Sequence, residues 1–510
     1  MLSADQDALT ADDQDEIRAS GRDPADVAAQ VAILRGGRKP VPILRPATLA
    51  DGIHPIDEAD RAVLYRLHGE AAAAGRVSAF VPASGSGTRL FQSLLLLYRE
   101  ETTDRDALRA RATAGDATAA DALAILDNIT DLAIWRDLER RGCPADSVAQ
   151  ILETLFGEEG LAHHELPKGL IPFHQYDDRV RTAFAEHLHE AVALTKDADN
   201  RCRIHFTVSA AHLDRFRAEW QRERPSLEGR LGVAFEVDFS IQSGATDTIA
   251  IDLDGNVRRD EEGRILFWPG GHGALLENLG RSGADIVVIK NIDNTSREEL
   301  SGTITGIRRQ ICGWLVLVES RVHEAIRALR QGGPPQPALD LLARLFGVAP
   351  PPALSGEHDR RAYAVDQLNR PLRVCGMVSS LTHTGGRPFW VDVEGRGQAL
   401  QIVEGAEIDM TSARERDMFV HAHHFNPVDM ACSLRDVDGR PFDLAAYRTA
   451  GRAIIAEKVL DGVRSRIYER PGLWNGGMSL WNTIFVEIPD VTFNPVKSLA
   501  DLLHPSHKGA

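Results

Sequence analysis

A short apolar run, Val77-Ser-Ala-Phe-Val81, breaks into a loop of small residues, Pro82-Ala-Ser-Gly-Ser-Gly-Thr-Arg89, and resumes as a helical pattern from Leu90 to Tyr98. A strand that feeds a helix through such a loop commits the chain to an α/β architecture. It also has a chemical use. Glycine lets a ligand approach the backbone closely, and the N–H groups at a helix start favour an anion, so Ala83, Ser84, Gly85, Ser86, Gly87 and Thr88 form a candidate phosphate cradle. Arg89 can add a charge-assisted, bidentate contact. A Walker A loop requires Gly-Lys-Ser/Thr where this chain has Gly-Thr-Arg, and the dinucleotide fingerprint requires a third glycine where it has Leu90.

The rest of the chain fits that start. Thr10-Ala-Asp-Asp13 opens one helical segment with a capping arrangement, and Asp23-Pro24 opens a second that ends near Gly36-Gly37. Pro40 to Gly52 carries three prolines and reads as an extended connection, and Asp57 to Ala74 has helical spacing. Glu101 to Ala162 is helical in period and reads as an insertion after the first βα unit. Strands are expected at Arg203 to Val208, Val233 to Ser240, Thr248 to Asp252 and Asp285 to Lys290, in a largely parallel sheet. Helix dominates from Ser296 to about Phe346, Pro350-Pro-Pro352 marks a boundary, and short strands with Gly-rich turns follow from Arg373. We expect an N-terminal helical arm over 1–75, a core over 76–350 with its insertion at about 101–162, and a C-terminal α+β part over 351–510 that contributes to the active site.

Composition narrows the function. The 74 acidic side chains outnumber the 58 basic ones, for a net charge of -16. Such a surface argues against non-specific binding to nucleic acid or to an anionic membrane, and an anionic small molecule would need a locally basic pocket. The five cysteines are scattered and form no CxxC pair, so reduced, structural thiols are expected. The chain opens with no charged-then-apolar leader, and its apolar runs are strand-length, from which we expect a cytoplasmic protein.

The loop pattern, small-x-Gly-x-Gly-Thr-Arg, resembles the signature of the sugar-nucleotide pyrophosphorylases, with Pro82-Ala-Ser as a departure. Glu165-Leu-Pro-Lys-Gly-Leu-Ile-Pro-Phe173 resembles the Pro-Lys segment that follows it there, although about eighty residues separate Arg89 from Lys168. Asp285-Ile-Val-Val-Ile-Lys-Asn-Ile-Asp-Asn294 delivers Asn291, Asp293 and Asn294 to a strand's carboxyl end, where α/β sheets bind ligands. Its Asn-x-Asp-Asn form is similar to the segment whose aspartate holds Mg²⁺ in the UDP-N-acetylhexosamine pyrophosphorylases. Thr492-Phe-Asn-Pro-Val-Lys-Ser498 resembles their Phe-x-Pro-x-Lys-Asn segment, with Ser498 in place of Asn.

The resemblance implies a Rossmann-like, GT-A-type nucleotidyltransferase fold with a mixed, mostly parallel sheet. It implies Arg89, Lys168 and Lys497 on phosphate and Asp293 on Mg²⁺. It further implies transfer of a nucleoside monophosphate from a triphosphate, UTP favoured, to a sugar phosphate or similar acceptor, with release of pyrophosphate. Gln242, in a strand-end turn, resembles a base-reading amide, with a hydrogen-bonded turn as the alternative. Gly271, His272 and Gly273 resemble the glycine-rich segment near base and ribose. Asn291, Asn294, Asn475 and Asn482 are candidate substrate contacts, as are Arg387 and Glu404. His421, His423, His424 and Asp429 read as a metal cluster or, because their spacing fits no standard zinc pattern, as a solvated or substrate-binding turn. Over nearly its whole length the chain resembles the family defined by the domain of unknown function DUF4301, to which no reaction is assigned. A non-catalytic nucleotide-sugar-binding or regulatory protein on the same fold is the alternative function.

Overall fold

The computed structural model describes residues 9–177, 179–380 and 385–508. They divide into two compact units. One comprises the described residues of His68–Ile241, Val288–Gln310 and Asp490–Ala510, and we call it the loop unit. The other comprises those of Met1–Leu67, Gln242–Val287 and Ile311–Pro489.

In the loop unit, strands Val77–Pro82, Arg201–Val208 and Ala234–Ile241 lie parallel, with Ala79 opposite Ile204 and Cys202 opposite Phe235. Parallel strands are covered on both faces, which accounts for apolar runs such as Phe80-Val81 and Phe206-Thr-Val208. Helix Ala183–Thr195 packs against the first two strands and Leu213–Leu231 against the third. The segment read as an insertion forms helices Arg105–Thr113, Ala117–Asp127, Trp135–Arg140 and Val148–Phe156. Asp104, Asp116 and Ser147 cap three of them by accepting from backbone N–H groups. Leu108, Ile125 and Leu155 share one continuous core with Phe184, Phe206 and Phe216, so these helices stabilise the unit that carries the loop.

The second unit holds strand Leu372–Ser379 parallel to Asn482–Glu487 and antiparallel to Met430–Ser433. A three-stranded antiparallel sheet joins Ile43–Pro46, Arg387–Val393 and Gly397–Val403. Thr248–Asp252 departs from expectation. It lies in a four-stranded sheet, antiparallel to Val463–Glu469 and Phe267–Trp268, and not beside the parallel strands. The reason is chain length: only residues 242–247 separate it from Ala234–Ile241, and a parallel crossover needs a dozen or more.

The N-terminal helices Ala11–Ala19 and Pro24–Gly36 start at Thr10 and Asp23, as their sequence predicts. They pack Ile17, Val27, Val31 and Leu34 against Ile249, Ile251 and Tyr468. The Gln30 side-chain oxygen accepts from the Ile249 N–H at 3.1 Å. All five cysteines are buried and free. Among the described residues, no helix is long and apolar enough to cross a membrane.

Candidate functional site

The loop leaves its strand at Ala83, whose N–H donates to the Thr207 carbonyl at 2.8 Å, and re-enters helix through a 3-10 turn, Thr88–Phe91, ahead of Gln92–Arg99. A second segment buttons it down. Gly87 N–H donates to the Leu166 carbonyl at 2.8 Å, Lys168 N–H donates to the Gly85 carbonyl at 3.0 Å, and the Thr88 hydroxyl donates to the His164 carbonyl at 3.0 Å. The long sequence gap between Arg89 and Lys168 therefore closes in space, because the inserted helices return the chain onto the loop.

Two glycines in this loop differ. A Cβ on Gly87 would meet the Leu166 carbonyl and the end of Ile171 at 2.5 Å, so packing demands glycine there. A Cβ on Gly85 would meet nothing within 4 Å, so the protein's own packing does not require that glycine. Ser84, Gly85 and Ser86 are exposed, and their three consecutive N–H groups find no acceptor among the described residues. Arg89 is also exposed.

Beneath the loop, the buried Lys168 ammonium donates to the Asp293 carboxylate at 2.7 Å and to the Val496 carbonyl at 2.9 Å. Asp293 keeps 23% of its side chain exposed. Its turn is held from the C-terminal segment: Val496 N–H donates to the Asp293 carbonyl at 2.9 Å and Asn494 N–H donates to the Asn294 side-chain oxygen at 2.8 Å. The Asn294 amide donates in return to the Thr492 carbonyl at 3.2 Å, so this asparagine clamps the turn. Asn291 is half-buried and its carbonyl accepts from the Asn294 N–H. Lys497, adjacent to the carbonyl that holds Lys168, is exposed, while its N–H and that of Ser498 donate to Asp501 at 2.7 and 2.8 Å. Arg89, Lys168, Asp293 and Lys497 thus lie in one unit, on segments tied directly to each other or to the loop.

The second unit gathers another set. His272 stacks on Trp474 with ring centroids 4.5 Å apart, and its Nδ1 accepts from the Leu473 N–H at 3.1 Å. Burial pushes its pKa down to about 4, so the ring is neutral. Gly271 and Gly273 flank it, and a Cβ on Gly273 would strike the Pro471 carbonyl at 2.0 Å. Asn475 follows Trp474, is fully buried, and neither its side-chain oxygen nor its nitrogen has a partner among the described residues. A Cβ on Gly386 would lie 3.6 Å from the Asn475 oxygen and 3.7 Å from Glu404, which brings two of the predicted substrate residues together.

Other predicted contacts are already engaged within the protein. Glu404 caps the turn Gly405–Glu407, and the buried Arg387 donates to the Ala422 carbonyl with its guanidinium 5.1 Å from the Phe419 ring centroid. Asn482 accepts from Arg396 at 2.8 Å and donates to the Gln367 and Leu368 carbonyls. Gln242 is half-buried just past strand Ala234–Ile241. No group of three His, Cys, Asp or Glu side chains among the described residues could hold a metal, which removes the metal reading of His421, His423, His424 and Asp429.

Sequence pattern alone does not single out Arg373. Fully buried, it donates to the Thr483 hydroxyl at 2.9 Å and to the Trp474 carbonyl at 2.5 Å, and so supports the turn that presents Asn475. It also misses the residues behind Asp293, of which Lys290 was legible only as the end of a strand.

The family described as "Domain of unknown function (DUF4301)" matches residues 10–508. No curated protein matches the chain. Similar solved structures include a UDP-N-acetylglucosamine pyrophosphorylase from Trypanosoma brucei in complex with inhibitor, at 15% identity and a TM-score of 0.47, covering 99% of this chain and 85% of that one. A UDP-glucose pyrophosphorylase mutant from Leishmania major in complex with UDP-glucose has 13% identity and a TM-score of 0.44, covering 97% and 79%.

Proposed function

The chain belongs to the DUF4301 family, and we propose that it is a nucleotidyltransferase, joining the nucleoside monophosphate of a triphosphate, UTP favoured, to a sugar phosphate or similar acceptor with release of pyrophosphate. The observation that carries this reading is the meeting of three open N–H groups on the loop with Lys168 and Asp293 beneath it, one cation and one carboxylate 2.7 Å apart. Phosphoryl chemistry asks a protein mainly for positioning and for stabilisation of charge, which those groups can supply without a protein nucleophile.

In this reading the loop N–H groups and Arg89 hold the triphosphate. An acceptor phosphate oxygen attacks the α-phosphorus in line, the bond to the β-phosphate oxygen breaks, and pyrophosphate leaves. Lys168 and Lys497 neutralise charge that builds on the phosphate oxygens during the exchange. Asp293 would hold Mg²⁺, and a single part-exposed carboxylate suits an ion that takes its other ligands from phosphates and water. Bound there, the ion would offset negative charge on the phosphates. Within the second unit, the neutral His272 and the open Asn475 amide form a separate candidate ligand site.

The test is pyrophosphate release from each common nucleoside triphosphate against a panel of sugar 1-phosphates and other phosphorylated acceptors, with wild type beside Asp293→Ala. Release that depends on both acceptor and Asp293 supports the transferase. One observation favours a second reading, a nucleotide-sugar-binding protein without turnover: Lys168 is already committed to Asp293 and Val496. Nucleotide binding with no release from any pair would select it.

A further inference from the structure

Behind Asp293 lies a group of charged side chains that the proposed chemistry does not use. His187 and Glu190, one turn apart on helix Ala183–Thr195, face Lys290 at the strand end and Arg308 on helix Glu298–Arg330. All four are at most 4% exposed. The Lys290 ammonium donates to Glu190 at 2.5 Å, and the Arg308 guanidinium is 3.4 Å from the same oxygen. Burial alone would raise the Glu190 carboxyl, but Lys290 and Arg308 bring it down to about 2, so it is ionised. Burial and the Lys290 charge push His187 down to about 3, so its ring is neutral.

The neutral ring has one N–H, and its direction is fixed. His187 Nε2 lies 3.1 Å from the Ile292 carbonyl, which can only accept, so Nε2 is the donor. Ile292 immediately precedes Asp293. The turn's own closing bond, from Asn294 N–H to the Asn291 carbonyl, is 3.2 Å long, and it leaves the Ile292 carbonyl for the histidine. Lys290 enters the same turn, and its N–H donates to the Phe80 carbonyl on the strand that leads to the phosphate loop. A buried ionic group of this kind stabilises a fold little, and often less than apolar side chains of equal size would. What it does supply is geometry: one helix and, through Glu190, a second helix are tied to the chain at Lys290 and Ile292, the residues that lead into Asp293.

We propose that His187, Glu190 and Lys290 are positioning residues for Asp293, holding its turn so that the carboxylate faces the metal and phosphates of a bound nucleotide. The inference rests on the functional reading above and predicts a specific loss. The network governs the part of nucleotide binding that depends on a metal at Asp293, and leaves the part due to the loop N–H groups untouched.

The experiment measures UTP affinity by calorimetry with Mn²⁺ and with EDTA, together with thermal stability, for wild type, His187→Leu, His187→Gln and the double variant Glu190→Gln/Lys290→Met. The glutamine can still donate an N–H to the Ile292 carbonyl, and the double variant removes one charge of each sign, so the buried group's net charge is unchanged. The expected result is a loss of about tenfold in the Mn²⁺-dependent gain for His187→Leu and for the double variant. Affinity in EDTA should stay within about twofold, and His187→Gln should recover most of the gain. An undiminished Mn²⁺-dependent gain in the double variant or in a folded His187→Leu, or an equal loss in EDTA, overturns the inference and leaves these residues a purely structural role. Absence of metal-dependent UTP binding in wild type would instead overturn the functional reading beneath it.

Discussion

The loop unit and the turn around Asn475 both bury polar groups, but they treat them in opposite ways. Lys168 is buried with a carboxylate and a carbonyl in reach, whereas Asn475 is buried with neither of its polar atoms partnered among the described residues. The difference follows from charge. An unpaired ammonium in the interior costs several kcal/mol, so a lysine that waits for phosphate needs a stand-in, and Asp293 serves. A neutral amide can be left open at a cost of about 1–3 kcal/mol. A nucleotide entering the loop unit must therefore exchange partners, while a ligand reaching Asn475 would only add them.

The sharpest way to break this comparison is to remove the stand-in. Lys168→Met should lower pyrophosphate release by about a hundredfold or more, as loss of a preorganised charge does. It should also free the Asp293 carboxylate, so that the nucleotide-free variant binds Mn²⁺ more tightly than wild type, as read by calorimetry. A lysine that merely supports the fold would give no such gain. Unchanged or weaker Mn²⁺ binding in a folded variant would show that the ion pair does not compete with the metal.

Next in size is the contrast within the loop. Gly87→Ala must push a Cβ against the Leu166 carbonyl and should cost up to about 3 kcal/mol in thermal or urea unfolding, the upper range for overpacking. Gly85→Ala meets no protein atom within 4 Å and should leave stability unchanged while weakening nucleotide affinity. Equal stability losses for both would show that the loop is packed, not open, at residue 85.

How far these features could be read in advance depends on how local they are. The strand, loop and helix at 77–98, the caps at Thr10 and Asp23, and the Asp293 turn were legible because each is written in adjacent residues. The antiparallel place of Thr248–Asp252 was not, since its partner Val463–Glu469 lies some two hundred residues away and nothing in Thr248-Ile-Ala-Ile-Asp252 names it. The Lys168 stand-in, the Asn294 clamp and the His187 donor were equally hidden. Each is a side chain meeting backbone or charge far along the chain, and a motif records only one end of such a bond.

Acid tests both units at once. His187 in the loop unit and His272 in the other are held by burial at about 3 and about 4, below the usual histidine range. The unfolded chain therefore binds protons that the folded one refuses, and stability falls as pH drops from about 6.5 toward those values. At pH 5 each histidine should account for about 2 kcal/mol of the loss. Thermal unfolding between pH 7 and pH 5 should show it, and His187→Leu should flatten the slope by its share. A slope unchanged in that variant would mean that the ring takes up its proton in the folded protein at the same pH as in the unfolded chain.

The smallest expected effect is the most direct test of the open amide. Asn475 and Asn482 are both buried asparagines in one segment, yet Asn482 is satisfied by Arg396 and two carbonyls and Asn475 by nothing among the described residues. Asn482→Leu leaves those three groups without their partner and should destabilise by about 1–3 kcal/mol. Asn475→Leu removes two unsatisfied atoms while nearly keeping the side chain's shape, and should raise the midpoint of unfolding by the equivalent of about 1 kcal/mol. Stability gained on removing a polar group marks a position kept for something other than the fold. If the same variant also loses affinity for the acceptor or for the nucleotide-linked product, the open amide is where that ligand is read. A fall in stability at both positions would erase the distinction and return Asn475 to the structural framework.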